Sequence, residues 1–314
     1  MTAVAHWDEA GNLRRHLEEG HLAGIWTDLG TLAGSVTVGV ERIDIDPGKW
    51  STPLHAEGGE EEIFYVLRGS GTALLWDGDE TTAHDIGEGD CLVHRALEQG
   101  HTLKAGDDGL DVLAFGERAF PAATYLPRAG IIRTAGTWTV VGEGPAPWDR
   151  EAQAGEPQLP PASERPDTIV NVGQVEPEEF RHGSVEVIQR DLAQAAGSVR
   201  TGLQHLTVAP GKLPSPPHCH SAEEEIFVVV DGEGQISLGE DEHPVRPGSV
   251  VARPAGTRVA HSFRAGEGGL TVLAYGTRDP NDIAYYPRSN KIFFRGLGLI
   301  ARLEPLAYSD GEPG

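Results

Sequence analysis

The chain has little cysteine, few aromatic residues and no long apolar run, and each shortage excludes a class of protein. Only two cysteines occur in 314 residues, Cys91 and Cys219, so a disulfide framework is not indicated. No apolar run reaches the roughly 20 residues that a membrane-spanning helix needs. The first residues lack the basic start and apolar core of a secretory signal, and the scarce cysteines suit a reducing compartment, so we expect a cytoplasmic protein.

Basic residues are also scarce beside acidic ones. The chain has 25 Lys and Arg against 48 Asp and Glu, a formal net charge of −23. Such a surface repels the phosphates of nucleic acids and of anionic membranes, so neither is an expected partner. Turn-forming residues are plentiful, with 41 glycines and 22 prolines, and this composition favours short strands joined by many turns over long helices.

An internal repeat divides the chain into two similar halves. Three motifs recur at one constant spacing: Gly34-Ser35-Val36 as Gly197-Ser198-Val199, Pro47-Gly48-Lys49 as Pro210-Gly211-Lys212, and Glu60-Glu61-Glu62-Ile63-Phe64 as Glu223-Glu224-Glu225-Ile226-Phe227. Two later motifs, 109–116 and 125–128, recur as 269–276 and 285–288 at a slightly shorter spacing. A change in the length of one turn explains the shorter spacing, so we interpret the repeat as a duplicated domain.

A stretch rich in Pro, Glu and Ala separates the halves and shows neither helical nor strand periodicity. We therefore predict a first domain over residues 1–142, a linker over 143–166 and a second domain over 167–314. Each domain has an ordinary size and can bury a core of its own.

Short apolar segments bounded by Gly or Pro recur through both halves. Residues 63–67 stop at Gly69, and residues 226–230 stop at Gly232. Regular spacing of such strands favours an all-β fold with one barrel in each half. The main predicted helix covers residues 7–20 and would cap the first barrel or form an arm.

Four residues of the second half have the spacing of a metal site. His218 and His220 lie two apart, so on a strand their side chains face one point. Residues 221–224 are about as long as a hairpin turn and would return the chain so that Glu225 faces the same point. His261 would come from a distant strand. Three imidazoles and one carboxylate suit iron, manganese, nickel, copper or zinc, and they leave coordination positions open for substrate.

The sequence resembles the cupin superfamily in both halves. In the second half the two cupin motifs occupy Gly211, His218, His220, Glu225 and Gly232, then Gly248, Pro254, Gly256 and His261. The spacing before the first histidine is one residue longer than usual, and Ala265 stands where Asn is common. Neither departure touches a ligand. The resemblance implies two tandem jelly-roll barrels, as in uncharacterised bacterial bicupins, with one divalent metal inside the mouth of the second barrel.

The first half keeps this frame but changes one ligand position. The corresponding residues are His55, Glu57, Glu62 and His101, so Glu57 stands where the second histidine belongs. The later motif lacks Pro-x-Gly and is one residue shorter. Two carboxylates and two imidazoles suit a hard divalent ion such as manganese. We favour the alternative that this barrel has lost its metal and serves as a scaffold or dimer surface.

Three further features leave a choice open. Cys219 lies between two candidate ligands, but strand alternation turns it away, as a small buried thiol. Arg253, Arg258 and Arg264 flank the second motif, and any one of them could bind a carboxylate or phosphate of a substrate. Residues 285–291 could cover a barrel mouth or pack on the partner domain, and we favour packing.

Two classes of function follow from the resemblance. We favour a metalloenzyme acting on a small polar molecule, through dioxygenase-type oxygen chemistry, decarboxylation or sugar-type isomerisation. The alternative is a non-catalytic bicupin that binds or stores a small molecule. Exposed sheet edges invite pairing, so a homodimer is our hypothesis for the assembly.

Overall fold

The fold is described from a computed structural model that covers residues 4–118, 122–134, 137–140 and 147–311. Regular structure in these ranges is mostly β. In the first half the strands are β1 (Val4–His6), β2 (Arg14–Glu19), β3 (Leu22–Asp28), β4 (Val38–Ile45), β5 (Ala56–Glu57), β6 (Glu62–Trp76), β7 (Thr81–Gly87), β8 (Asp90–His94), β9 (Gly100–Glu117), β10 (Ala123–Leu126), β11 (Ile131–Thr134) and β12 (Thr137–Val140). In the second half they are β13 (Ile169–Asn171), β14 (Glu178–His182), β15 (Val185–Asp191), β16 (Thr201–Val208), β17 (Cys219–His220), β18 (Glu225–Leu238), β19 (Asp241–Val245), β20 (Ser249–Arg253), β21 (His261–Thr277), β22 (Ile283–Tyr286), β23 (Lys291–Phe294) and β24 (Leu299–Arg302).

Helices are short wherever the structure describes the chain. The α-helices are α1 (Leu29–Ala33), α2 (Pro147–Gln153) and α3 (Leu192–Ala195). Single 3-10 turns occur at Trp7–Glu9, Gly11–Leu13, Val172–Gln174, Pro287–Ser289 and Arg295–Leu297. Within the described ranges, none of these helices has the length and apolar character needed to cross a membrane.

Each half folds into a large and a small antiparallel sheet. The large sheet of the first half has the order β13-β8-β6-β9-β4-β3-β2 with β7 beside β6, and its small sheet has the order β12-β11-β10-β5. The second half repeats this plan as β1-β20-β18-β21-β16-β15-β14 with β19 beside β18, and as β17-β22-β23-β24. The predicted all-β fold of two tandem barrels is confirmed.

Two strands cross between the halves. β1 pairs with β20 of the second barrel, and β13 pairs with β8 of the first. Each large sheet is therefore completed by a strand from the other half of the chain. The domain bounds at residues 142 and 167 stay a prediction, and these pairings show which segments reach across them.

The segment predicted as a linker contains a short helix, although its sequence shows no helical periodicity. Residues 143–146 lie outside the described residues, and α2 follows them. Two contacts fasten α2 to the first barrel: the Trp148 ring lies 5.9 Å from the Trp26 ring, and Glu151 pairs with Arg128 at 2.8 Å. Tertiary contacts rather than local periodicity stabilise this short helix.

The helix predicted over residues 7–20 is also wrong. Two 3-10 turns occupy the start of this segment, and β2 then forms a hairpin with β3. Gly20 turns the chain with φ +59, a conformation that glycine adopts without strain. All side chains of β2 are exposed at a sheet edge, so the spacing of Leu13 and Leu17 does not mark a buried helical face. Strand pairing has overridden weak helical propensity.

Side chains near the start of β6 and of β18 alternate between three of the apolar clusters of the core. Phe64 and Val66 point into the first barrel, and Phe227 and Val229 point into the second. The intervening side chains, Ile63, Tyr65, Ile226 and Val228, lie together in a third cluster between the barrels. Burying one such side chain stabilises the fold by about 1.5–3 kcal/mol. Both strands are therefore held on two faces, which positions the glutamate that begins each of them.

Candidate metal centres

The structure brings His218, His220, Glu225 and His261 together in the second barrel. The backbones of His218 and His261 exchange two hydrogen bonds, of 3.2 and 2.8 Å, and their rings lie 4.7 Å apart. Oε2 of Glu225 lies 3.0 Å from Nε2 of His261 and 3.3 Å from Nε2 of His220. The chain thus converges from two sheets on one point.

Three of the atoms facing this point are buried and have no hydrogen-bond partner. They are Nε2 of His220, Oε2 of Glu225 and Nε2 of His261. A buried polar atom left without a partner costs about 1–3 kcal/mol. A divalent metal accepting their lone pairs would satisfy all three, so this donor set fits a metal ion.

Hydrogen bonds made by Nδ1 of two of the histidine rings determine which ring nitrogen faces the centre. Nδ1 of His218 donates to the carbonyl oxygen of Pro216 at 2.9 Å, and Nδ1 of His220 donates to Oδ2 of Asp282 at 2.6 Å. A carbonyl or an ionised carboxylate only accepts, so each Nδ1 carries the proton. The Nε2 atoms of both rings therefore face the centre, as metal-binding imidazoles require.

Asp282 is a functional candidate that the sequence reasoning missed. It is 1% exposed, and its Oδ1 accepts backbone N–H groups of Ser221, Ala222 and Glu223 at 3.0–3.2 Å. The segment predicted as a hairpin turn is therefore no hairpin. β17 pairs with β22, and residues 221–224 wrap around Asp282 as the chain crosses to the other sheet.

The internal repeat contains a signal that could have found Asp282. By the later repeat spacing, the corresponding residue of the first half is Ala122, and the residue corresponding to His220 is Glu57. The first half thus lacks both members of the His–Asp pair. Loss of the pair together indicates that the carboxylate serves the histidine.

The second centre should bind metal more tightly as the pH rises. Burial lowers the pKa of His218 to about 4, so this ring is neutral at pH 7. Burial alone would also lower the pKa of His220, but its hydrogen bond to Asp282 and the nearby negative charge of Glu225 raise it to about 10. Below that pKa a bound metal must displace one proton, so we expect the affinity to rise about tenfold per pH unit between roughly pH 6 and 8.

Calorimetric titration of Mn(II) at pH 6, 7 and 8, in two buffers of different ionisation enthalpy, measures both the affinity and the proton released. An affinity that stays flat over this range, with no proton release, would contradict the assignment of the displaced proton to His220.

The first barrel repeats most of this arrangement. Nε2 of His101 lies 3.1 Å from Oε2 of Glu62, and Nε2 of His55 lies 3.7 Å from the same oxygen. His55 and His101 exchange the same two backbone hydrogen bonds, and Nδ1 of His55 donates to the carbonyl of Pro53 at 2.8 Å. Oε2 of Glu62 and Nε2 of His101 are buried without partners. His55, Glu62 and His101 therefore also form a group that could hold a divalent metal.

Glu57 lies to one side of this group. Its two carboxylate oxygens accept from the Thr124 hydroxyl at 3.0 and 3.1 Å, and Oε1 is 3.8 Å from Nε2 of His55. Burial, followed by the nearby charge of Glu62, raises the pKa of Glu57 to about 7. Glu57, which has the sequence position of the fourth ligand, is thus hydrogen-bonded to Thr124.

Glu57→Ala is expected to leave activity and the metal of the second centre unchanged. The substitution removes hydrogen bonds from Thr124, and the expected loss of folding stability is on the order of 1 kcal/mol. Thermal unfolding and metal analysis of the same preparation check both parts. Loss of activity together with one equivalent of metal would instead make Glu57 a ligand of a working first centre.

The comparisons with known proteins agree with this architecture. The family model for the cupin domain matches residues 204–274, which include all four candidate ligands of the second centre. A Bacillus subtilis oxalate decarboxylase variant has 17% sequence identity and a TM-score of 0.61, covering 90% of this chain and 78% of that chain. Oxalate decarboxylase of Lactobacillus farciminis, in a formate complex, also has 17% identity and a TM-score of 0.61, covering 89% and 87%. The chain therefore has a two-barrel bicupin fold, with a cupin domain in its second half.

A third solved structure adds information about metal. It is a Bacillus subtilis oxalate decarboxylase studied for its Mn(II) centres, with 15% identity, a TM-score of 0.59, and coverage of 88% of this chain and 77% of that chain. Identities this low establish the fold that the bicupins share. No curated protein matches this bicupin in sequence.

The two barrels of the bicupin differ in what lies beside their candidate metal centres. In the first barrel a cavity of about 370 Å³ opens next to Glu57, with Trp76, Tyr125, Leu97 and Ile132 in its wall. In the second barrel the Tyr286 ring stacks on His218, with centroids 5.4 Å apart. The segment 285–291, predicted to pack on the partner domain, therefore has Tyr286 against a candidate ligand.

Of the three arginines that the sequence left open, Arg253 lies at the second centre of the bicupin. It pairs with Glu225 across β18 and β20, and residues paired directly across strands share one face of a sheet. It is 8% exposed, whereas Arg258 and Arg264 are exposed. Its terminal Nη2 donates to the carbonyl of Val259 at 3.0 Å, while its Nε is buried without a partner.

The first barrel has no cation at the corresponding position. His94 pairs with Glu62 there and stacks on His101 with centroids 3.9 Å apart. Burial, and then the neighbouring His101, lowers the pKa of His94 well below its usual range, so the ring is neutral. Arg253 thus gives the second centre a guanidinium at the position where the first centre has a neutral imidazole.

Proposed function

We propose that this bicupin is a divalent-metal enzyme that acts on a small polar molecule at the second centre. The convergence of three buried, partnerless donor atoms of His220, Glu225 and His261 carries the proposal. A scaffold gains nothing from donors that are left unsatisfied, because each costs free energy of folding. When bound, the metal would supply Lewis-acid polarisation of a substrate oxygen. His218, His220, Glu225 and His261 would hold it.

We propose a small carboxylate as the substrate class. A divalent metal held by three neutral imidazoles and one carboxylate would keep one positive charge, and Arg253 adds another, while the ionised Asp282 beside His220 offsets one of the two. The positive charge that remains is buried, which is unfavourable unless an anion accompanies it. The buried Nε of Arg253 offers a charge-assisted hydrogen bond to such an anion.

Decarboxylation is the reaction that we place first among those left open by the sequence. The structural neighbours are oxalate decarboxylases, and the proposed anion site suits a substrate of that class. Dioxygenase-type and sugar-isomerase-type reactions use related metal sites and are separated from decarboxylation by what the reaction consumes.

The test combines Mn(II)-loaded protein with oxalate and follows carbon dioxide, formate and oxygen together. Release of carbon dioxide and formate without net oxygen uptake supports decarboxylation. Net oxygen uptake on any of a panel of small carboxylates and diols indicates an oxidative reaction, and aldose–ketose conversion indicates an isomerase. Bound metal without turnover across that panel would leave a non-catalytic binding bicupin and overturn the enzyme proposal.

Arg253→Met is expected to raise the KM for a carboxylate substrate by about 10- to 100-fold, the usual cost of a lost charge-assisted hydrogen bond. Methionine retains much of the side-chain volume, and the metal content should not change. Steady-state kinetics and metal analysis check the two parts. Arg258→Met, at an exposed site nearby, is the matched control, and an equal effect in both variants would argue against a specific anion site.

A further inference from the structure

Two buried carboxylates join the barrels, and the metal centres do not use them directly. Glu61 and Glu224 are the middle residues of the repeated acidic runs, and each is 1% exposed. Each immediately precedes a candidate ligand, Glu62 or Glu225. Adjacent residues of extended chain point in opposite directions, so the ligand faces its own barrel while the preceding glutamate faces the other barrel.

Glu224 of the second barrel is held by a loop of the first. Its Oε1 accepts the backbone N–H of Val36 at 2.7 Å, and its Oε2 accepts the N–H and the hydroxyl of Thr37 at 2.5 and 2.6 Å. This loop follows α1 and leads directly into β4. Three short hydrogen bonds to one buried carboxylate make a stiff anchor.

Glu61 makes the reciprocal contact. Its Oε1 accepts the Ser198 hydroxyl at 2.5 Å and the N–H and hydroxyl of Thr201 at 3.1 and 2.6 Å. Its Oε2 accepts the N–H of Val199 at 3.0 Å. The loop that provides these donors follows α3, which corresponds to α1. The two repeated motifs, the acidic run and Gly-Ser-Val, are thus partners across the barrel interface.

We propose that Glu61 and Glu224 are positioning residues of the metal centres, each fixing the adjoining ligand carboxylate through hydrogen bonds that only the opposite barrel supplies. The proposal rests on the proposed metal function. Metal affinity depends on groups that hold a ligand in place, and loss of one such group typically costs 10- to 100-fold. Glu62 and Glu225 are the first residues of their strands, so the preceding glutamate is held where the chain enters the sheet. Each barrel supplies its own ligands, but the hydrogen bonds that position its ligand glutamate come from the other barrel.

A variant in one barrel should therefore weaken the centre of the other. Thr37→Val keeps the shape of the side chain and removes one donor to Glu224. In a His55→Ala/His101→Ala background, where the second centre alone is left, we expect Thr37→Val to weaken Mn(II) binding by about tenfold and to change the Mn(II) paramagnetic resonance spectrum. Thr37→Ser retains the hydroxyl and should restore both.

The reciprocal pair tests the other direction. Thr201→Val should weaken the first centre, and Thr201→Ser should not, in a His218→Ala/His261→Ala background.

Two outcomes would contradict the proposal, and they differ in how much of it they overturn. A Thr37→Val protein with a lower melting temperature but unchanged Mn(II) affinity and spectrum would reduce the contact to an interface stabiliser and overturn the positioning role alone. Failure of the unsubstituted protein to bind Mn(II) at either centre would overturn the proposed function and the positioning role together.

Discussion

Replacing His218 and His220 together with alanine is expected to remove the metal of the second centre and to reduce activity to background. His220 lies in β17, and His218 is the residue just before this strand. Without their imidazoles, only Glu225 and His261 remain as metal ligands. A site with two ligands binds a transition metal much more weakly than a site with four ligands. Plasma mass spectrometry of the purified protein measures the metal, with a loss of about one equivalent as the expected result.

The control for this variant is His182→Ala, which removes an exposed histidine of the same half. Metal that survives in the double variant identifies a working first centre at His55, Glu62 and His101. Full activity in the double variant, or absence of metal from the unsubstituted protein after reconstitution, would contradict the metalloenzyme proposal.

Asp282→Asn should lower the metal affinity of the second centre by about 10- to 100-fold without unfolding the protein. The ionised carboxylate accepts the Nδ1 proton of His220 and so directs Nε2 toward the centre. An amide either donates to this nitrogen or accepts more weakly, so the ring loses both its orientation and its basicity. Burial opposes ionisation of Asp282, but the hydrogen bond from His220 holds its pKa below the usual range, so the variant removes a real charge.

Titration of the Asp282→Asn variant with Mn(II) measures the affinity, and its pH dependence should flatten because His220 no longer holds the displaced proton so firmly. Asp279→Asn, on the same loop but without a contact to His220 in the described structure, is the matched control. Equal affinity in both variants would show that Asp282 only organises the loop.

Local patterns allowed much of the site to be predicted. A His-x-His pair on extended chain places both rings on one side whatever surrounds it, because side chains alternate along a strand. The repeat identified the corresponding residues of the first half, and the structure brings His55, Glu62 and His101 together. Glu57 was placed in this set by its sequence position, but its contact with Thr124 depends on β5 pairing with β10.

Predictions failed where strand pairing overrode a local pattern. Residues 7–20 carry a helical spacing of leucines, yet pairing with β3 makes a strand of 14–19. Residues 221–224 have the length of a hairpin turn, yet β17 pairs with β22 and the turn surrounds Asp282. β3 follows β2 directly in a hairpin, whereas β22 is far from β17 along the chain, and in both cases local propensity is too weak to oppose the pairing.

The sequence by itself determined the all-β class and the duplication and predicted the candidate ligands, because these depend on composition, periodicity and spacing within short segments. Only the tertiary structure decided which groups support the donors. Asp282 behind His220, Arg253 opposite Glu225, and Glu61 and Glu224 across the interface are far from their partners along the chain. Their contacts follow from strand register and from the packing of one barrel on the other, which no local pattern encodes.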